Sequence, residues 1–300
     1  MLAGMFYILI SAASFGALAI FVRIAYANGI DTPTLLFMRF SIAAICLGAV
    51  MVARRTPLPR GRDLTIVMLM GAVGYAGQSF CYLSALHYAS AGLVALLLYL
   101  YPVIVTVLAA AFLHETITRT KLLALVFGLA GSALTIGPAA DAKPMGILLG
   151  IGAALIYAIY ITVGSRVLTR VSPLQLATMV SVSASAVFGV VMLVNGTAFP
   201  GNATGWLATI AIALISTVVA ILAFFAGLER VGPVNASTLS TAEPIVTLVL
   251  AWLFLGEGIT LLRMTGGAMI LLAVILLARQ GMRRSAPVAA FPADVMRDRP

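Results

Sequence analysis

The sequence predicts an all-α membrane protein: ten transmembrane helices as two inverted five-helix repeats, with the N and C termini cytoplasmic. Three observations predict it. The 300 residues are 62% hydrophobic and only 9% charged, with a mean hydropathy of +1.14, whereas soluble domains carry roughly 25% charged residues. Apolar residues fall in ten runs, each close to the ~20 needed to cross the hydrocarbon core as a helix. Finally, residues 82–118 slide onto 224–260 without a gap: Leu86 falls on Leu228, Pro102 on Pro244, Phe112-Leu113 on Phe254-Leu255, Glu115 on Glu257, and Ile117-Thr118 on Ile259-Thr260. A repeat of that length marks one duplicated unit.

The runs lie at about 5–26, 33–53, 64–86, 91–113, 121–137, 145–164, 173–194, 204–227, 234–255 and 261–279. No Lys or Arg precedes the first, so it reads as a retained helix and not a cleaved signal peptide. Turns are expected at Pro33, Pro57-Leu58-Pro59, Gly137-Pro138, Pro173, Pro200 and Gly232-Pro233. The halves are therefore 1–137 and 145–280, joined by a loop at 138–144. Residues 281–300, Ala- and Pro-rich with mixed charge, read as a disordered cytoplasmic tail. An odd number of spans makes the second half enter the membrane from the opposite side. Inverted repeats recur in secondary transporters, where the substrate site lies at the midplane between the halves.

Orientation is written in the basic residues. Arg54, Arg55, Arg60, Arg62, Arg119, Lys121, Arg166, Arg170 and Arg230 fall on one side with the basic tail, against Lys143 and Arg263 on the other, with Arg23 near the end of the first run. The positive-inside rule puts the richer side in the cytoplasm, here the inner (cytoplasmic) membrane of the cell. The net charge of +9 is thereby explained by topology and not by nucleic-acid binding. Cys46 and Cys81 sit inside apolar runs with neither disulfide nor metal spacing.

Candidate site residues come from polar groups at membrane depth. Glu243 is the carboxylate nearest a span centre, where a charge costs on the order of 2.5–3.5 kcal/mol on insertion scales. It reads as a partner for a substrate amine, a proton carrier, or a neutral acid hydrogen-bonded between helices. Its counterpart in the first copy is Tyr101, and without a symmetric partner weak or absent proton coupling is expected. Tyr75, Gln78, Ser79 and Tyr82 are spaced three and four apart, so they share one helix face. Tyr99, Tyr157 and Tyr160 add phenols at similar depth. Together these eight are the expected substrate-binding set, a phenol-lined cavity for an aromatic ring and a polar head. Glue between helices is the plainer alternative.

Pro102 and Pro244 remove a backbone donor in mid-span and free the carbonyls of Leu98 and Ser240. They read as paired gating kinks, or as packed bends. Glu115 and Glu257, at span ends, read as structural polar residues in interfacial turns. Arg39, about two turns into its span, reads as structural too, paired with a carboxylate such as Glu257. Glycines at 71, 74, 77, 128, 131, 146 and 150 suggest close helix approach.

Gly227-Leu228-Glu229-Arg230-Val231-Gly232-Pro233, then Ala242-Glu243-Pro244, then Phe254-Leu255-Gly256-Glu257, resembles the signature of the drug/metabolite transporter superfamily, EamA type. The first copy matches more loosely, with His114 where the second has Gly256. The resemblance implies export of small metabolites, often amino acids, and some such exporters take aromatic ones; others handle nucleosides, drugs or cationic toxicants. The expected partners are therefore a small-molecule substrate and membrane lipid, with the chain working as a monomer and no cofactor. A phosphorylated substrate would want Arg or Lys in the cavity, and the spans supply only Arg39, near one end, so a sugar phosphate is disfavoured. No G-x-x-x-x-G-K-[ST] loop is present for nucleotide-driven transport. The H-E-x-x-H and G-x-S-x-G constellations of an enzyme are missing as well. A non-transporting scaffold is the remaining alternative.

Overall fold

The computed structural model describes residues 1–85, 88–89, 91–136, 143–255, 258 and 260–285, with backbone alone at 91–92, 255 and 281–285. Ten membrane-crossing units account for these residues. The first five are α1 (Leu2–Ala27), α2 (Thr32–Ala53), α3 (Gly61–Ala85), α4 (Ala91–Leu98 continued by Tyr101–Leu113) and α5 (Arg119–Ile136). The second five are α6 (Pro144–Val167), α7 (Pro173–Asn195), α8 (203–231), α9 (233–240 continued by Glu243–Leu255) and α10 (Leu261–Ser285). Nine described helices are long and apolar enough to span a bilayer, one of them running through α8 into α9, and Glu243–Phe254 is a shorter apolar helix. Helix α8 is separated from α9 at Gly232, whose φ of 77° and ψ of 167° interrupt the ladder ahead of Pro233. Most of the expected 138–144 loop and of the tail, residues 138–142 and 286–300, lie outside the described residues. Helix α10 itself reaches Ser285, past the boundary expected at 280.

The span starts follow from capping chemistry. Asp31 caps α2 by accepting from the Thr34 N–H at 2.8 Å, with Pro33 in the first turn. Ser172 and Gln175 form a reciprocal capping box at α7 ahead of Pro173, and Asn202 caps α8 through the Gly205 N–H. Such oxygens satisfy helix-end donors that water would otherwise have to meet.

Loops gather at two faces. On the arginine-rich face Arg170 pairs with Asp63 at 3.3 Å and the Gln175 amide donates to the Pro57 carbonyl at 2.6 Å. At the opposite face Asn202 donates to Asn28 at 2.6 Å, and the Lys143 N–H donates to the Tyr88 carbonyl at 2.9 Å. Between the faces, side chains such as Ile45, Val52, Leu193 and Val194 point outward into what must be lipid.

The two halves share their irregularities. Helix α4 breaks at Tyr99-Leu100, and α9 breaks at Thr241-Ala242, the same place in the repeat. The prolines do not bend continuous helices as expected: Pro102 and Pro244 each open the second piece, where the missing N–H is one the helix start leaves unpaired anyway. Helices α3 and α8 each carry one π-helical turn near mid-span, Met70–Tyr75 and Leu214–Val219. Fully buried Leu47, Ile161, Phe225 and Leu228 pack the arginine-rich half. That half is closed by packing.

Candidate substrate cavity

A cavity of about 570 Å³ opens between the repeats, within the roughly 300–1,000 Å³ typical of small-molecule pockets. Its walls come from the middle of the spans outward to the face opposite the arginine-rich loops. Phe15 and Tyr26 of α1, Thr32 of α2, Ile136 of α5 and Arg263 of α10 mark its extent. The protein thus stands open toward one face and packed toward the other.

Of the expected binding set, Tyr75, Gln78, Ser79, Tyr82, Tyr99, Tyr157 and Glu243 all line this space. The α3 quartet does so through its helical spacing. Glu243 and Tyr99 reach it from the breaks in α9 and α4. Tyr160 is the exception and corrects the expectation. It is buried one layer back, edge-on to Tyr75 at 6.0 Å, near-parallel to Tyr157 at 5.9 Å and against Phe225 at 5.9 Å. It supports the wall and does not form it.

Tyr101 forms wall where the sequence suggested only a counterpart to Glu243. Its ring meets Tyr157 edge-on at 4.7 Å and Tyr99 at 6.4 Å, and its hydroxyl donates to the Ser237 carbonyl of α9 at 3.4 Å. The signal was available: Tyr101 directly precedes Pro102 at the break. An aromatic series therefore runs Phe40, Tyr75, Tyr160, Tyr157, Tyr101, Tyr99 across both repeats. Each such pair adds roughly 0.5–1.5 kcal/mol beyond its buried area.

The two prolines separate in role. Pro244 lines the cavity, while Pro102 is buried away from it. Next to Pro244, the Thr247 hydroxyl donates to the Gly16 carbonyl at 2.9 Å, beside the break in α1 at Ala17. That takes up a backbone acceptor which could not stay unpaired at this depth.

Arg39 departs from its expected pairing. Among the described residues its partners are neutral: Nε donates to the Thr217 hydroxyl at 2.6 Å, and Nη2 to the Tyr75 hydroxyl at 3.0 Å and the Ser216 carbonyl at 3.2 Å. The guanidinium also lies over the rings of Phe40 and Tyr75. It lines the cavity while only 5% exposed. Glu257, the suggested partner, lies outside the described residues.

Glu115 lies in the turn between α4 and α5. It accepts from Lys121 Nζ at 2.5 Å, and Lys121, 4% exposed, also donates to the Thr116 carbonyl. A Cβ at Gly232 would come within 3.6 Å of the Glu115 carboxylate, and Gln280 donates to Thr118 at 2.7 Å. This turn seals the arginine-rich face. The repeat carries Lys121 onto Arg263, which lines the open end of the cavity.

Two matches of one family profile, at residues 2–137 and 144–279, fall on the two halves, and its description is EamA-like transporter family. The chain belongs to the EamA-like transporter family. An uncharacterized transporter of Archaeoglobus fulgidus is 28% identical over 279 residues, covering 91% of this chain and 95% of the relative. A probable terminal-alkyne amino-acid exporter of Streptantibioticus cattleyicolor is 26% identical over 266 residues, covering 86% and 89%. An uncharacterized inner membrane transporter of Salmonella typhimurium is 27% identical over 240 residues, covering 76% and 77%. One crystal structure superposes with a TM-score of 0.80 at 19% identity, over 94% of this chain and 99% of the other, which establishes likeness of fold.

Proposed function

We propose that this EamA-like transporter is a secondary carrier that exports amino acids with aromatic or bulky neutral side chains across the cytoplasmic membrane by alternating access. The observation that carries the reading is the cavity between the repeats, walled by Tyr75, Tyr82, Tyr99, Tyr101 and Tyr157 with Glu243 at its floor. Aromatic faces hold an apolar side chain, while hydroxyls and the Gln78 amide meet a polar head group. The relative from Streptantibioticus cattleyicolor carries a name of the same substrate class. The arginine-rich loops orient the packed face to the cytoplasm, so this is the outward-open state. In the opposite state the Glu115 turn parts from Gly232 and Gln280 and the Arg263 end closes. No bond is made or broken in this cycle, so the chain is a carrier and not an enzyme, and it functions as a monomer.

Efflux of aromatic cations is the second reading, favoured by a carboxylate beside phenol rings at Glu243. Competition in proteoliposomes separates the two. Phenylalanine, tryptophan, methionine and threonine should compete for uptake of labelled phenylalanine better than aspartate, a hexose phosphate or a quaternary aromatic cation. Tyr99→Ala should weaken aromatic substrates more than threonine. Best competition by the cation, aspartate or the hexose phosphate rejects the proposal.

A further inference from the structure

Arg39 is a cation buried without a counter-ion among its described partners. Its Nε and Nη2 are taken by Thr217, Tyr75 and the Ser216 carbonyl, while Nη1 has no hydrogen-bond partner among the described residues. The residue is 95% buried by the 5% exposure it retains, and that exposure is to the cavity it lines. A guanidinium held in this way keeps its whole charge with only dipoles to offset it. Neutral groups fix its position without neutralising it.

The backbone around it is built for the purpose. The π turn of α3 ends at Tyr75, and the π turn of α8 contains Ser216 and Thr217. One such turn from each repeat therefore contributes to the grip on a single side chain. In π geometry the ladder is offset by a residue, and such turns often mark functional sites. The Thr217 hydroxyl itself donates to the Ile212 carbonyl at 2.9 Å, which leaves its oxygen lone pairs aimed at Arg39.

Symmetry removes the structural explanation. Helix α7, the counterpart of α2, contains no charged residue. Where α7 meets the π turn of α3, a Cβ on Gly71 would lie 2.0 Å from the Ser183 hydroxyl and 2.5 Å from the Val180 carbonyl. That junction is closed by direct packing. The repeat folds without a cation at this place, and only the α2–α8 junction, on the cavity, has one.

We infer that Arg39 is the carboxylate-recognising residue of the cavity, and that its ligands are monocarboxylates whose ring or chain lies along the aromatic wall of Tyr75, Tyr157, Tyr101 and Tyr99. Guanidinium and carboxylate are a matched pair for charge-assisted hydrogen bonds. Gln78 and Ser79, on the α3 face that carries Tyr75, are placed to meet an adjacent ammonium group. The inference rests on the carrier reading above and names the head group which that reading leaves open.

The test is equilibrium competition on purified, detergent-solubilised full-length protein, with labelled L-phenylalanine as probe. L-phenylalaninamide and 3-phenylpropionate remove one end of the head group each. For the wild type we expect the amide to bind roughly 10- to 100-fold more weakly than phenylalanine, the span of a lost charge-assisted hydrogen bond. Phenylpropionate should compete better than the amide. In Arg39→Gln the preference for phenylalanine over its amide should collapse to about threefold or less, with amide binding itself little changed. Arg39→Lys, which keeps the charge and loses the fork, should retain part of the preference. Equal competition by phenylalanine and its amide on the wild type overturns the inference, and that measurement needs no variant to fold. An unchanged preference in a folded Arg39→Gln overturns it as well. If phenylalanine does not bind while a hexose phosphate or an aromatic cation does, the amino-acid reading fails instead.

Discussion

His114 closes α4 with a φ of 54°, in the left-handed region. That conformation crowds the Cβ of an L-residue and suits glycine, and Gly256 is the residue at this place in the second copy. His114→Gly should raise stability by up to roughly 1 kcal/mol, read as a higher unfolding temperature in detergent; a lower one would mean that the imidazole holds the turn. At Glu243 the expectation is kinetic. Glu243→Gln should weaken half-saturation for amino acids while the response of uptake to an imposed pH gradient stays as in the wild type. Loss of proton-driven accumulation with intact exchange would make this carboxylate a proton carrier. Glu243 stood out in the sequence because charge at mid-span is costly, and the α3 quartet because helical spacing aligns it. Tyr160 did not separate from Tyr157, since three residues along a helix turns the side chain only about 60°. That is enough to send one ring to the cavity and the other into Phe225.

Helices α5 and α10 cross where a Cβ on Gly131 would lie 2.6 Å from the Gly266 carbonyl, and one on Gly266 would lie 2.6 Å from the Gly131 carbonyl. Neither backbone can yield without moving its helix. Gly131→Leu should therefore cost about 1–3 kcal/mol or more, measured as lost thermal stability, whereas the same change at Gly48, with open space around it, should cost little. Equal effects at both would deny the close crossing. Gly131 was readable in advance as a close-approach residue, while its partner Gly266 was not singled out. The recurring prolines marked where α4 and α9 depart from regular helix, but a break and a bend look alike in sequence. The π turns were not readable: Met-Gly-Ala-Val-Gly-Tyr and Leu-Ile-Ser-Thr-Val-Val share no residue pattern. They answer to what the neighbouring helix places against them, as Arg39 does, and such tertiary causes leave no local mark.

Across the whole molecule, two five-helix halves hold one cavity open to one face and pack the other face shut. Orientation is testable by itself. In a background lacking Cys46 and Cys81, a single cysteine beside Asn202 should react with an impermeant thiol reagent on whole cells, and one beside Arg60 should not. Equal labelling would overturn the assigned orientation. Exchange through alternating access is the central claim, and counterflow measures it most directly. Proteoliposomes preloaded with unlabelled phenylalanine should draw trace labelled phenylalanine above its equilibrium level, followed by decay as the outward gradient is spent. Label that only equilibrates, or that enters no faster than into protein-free vesicles, would contradict a carrier that exposes one cavity to each face in turn.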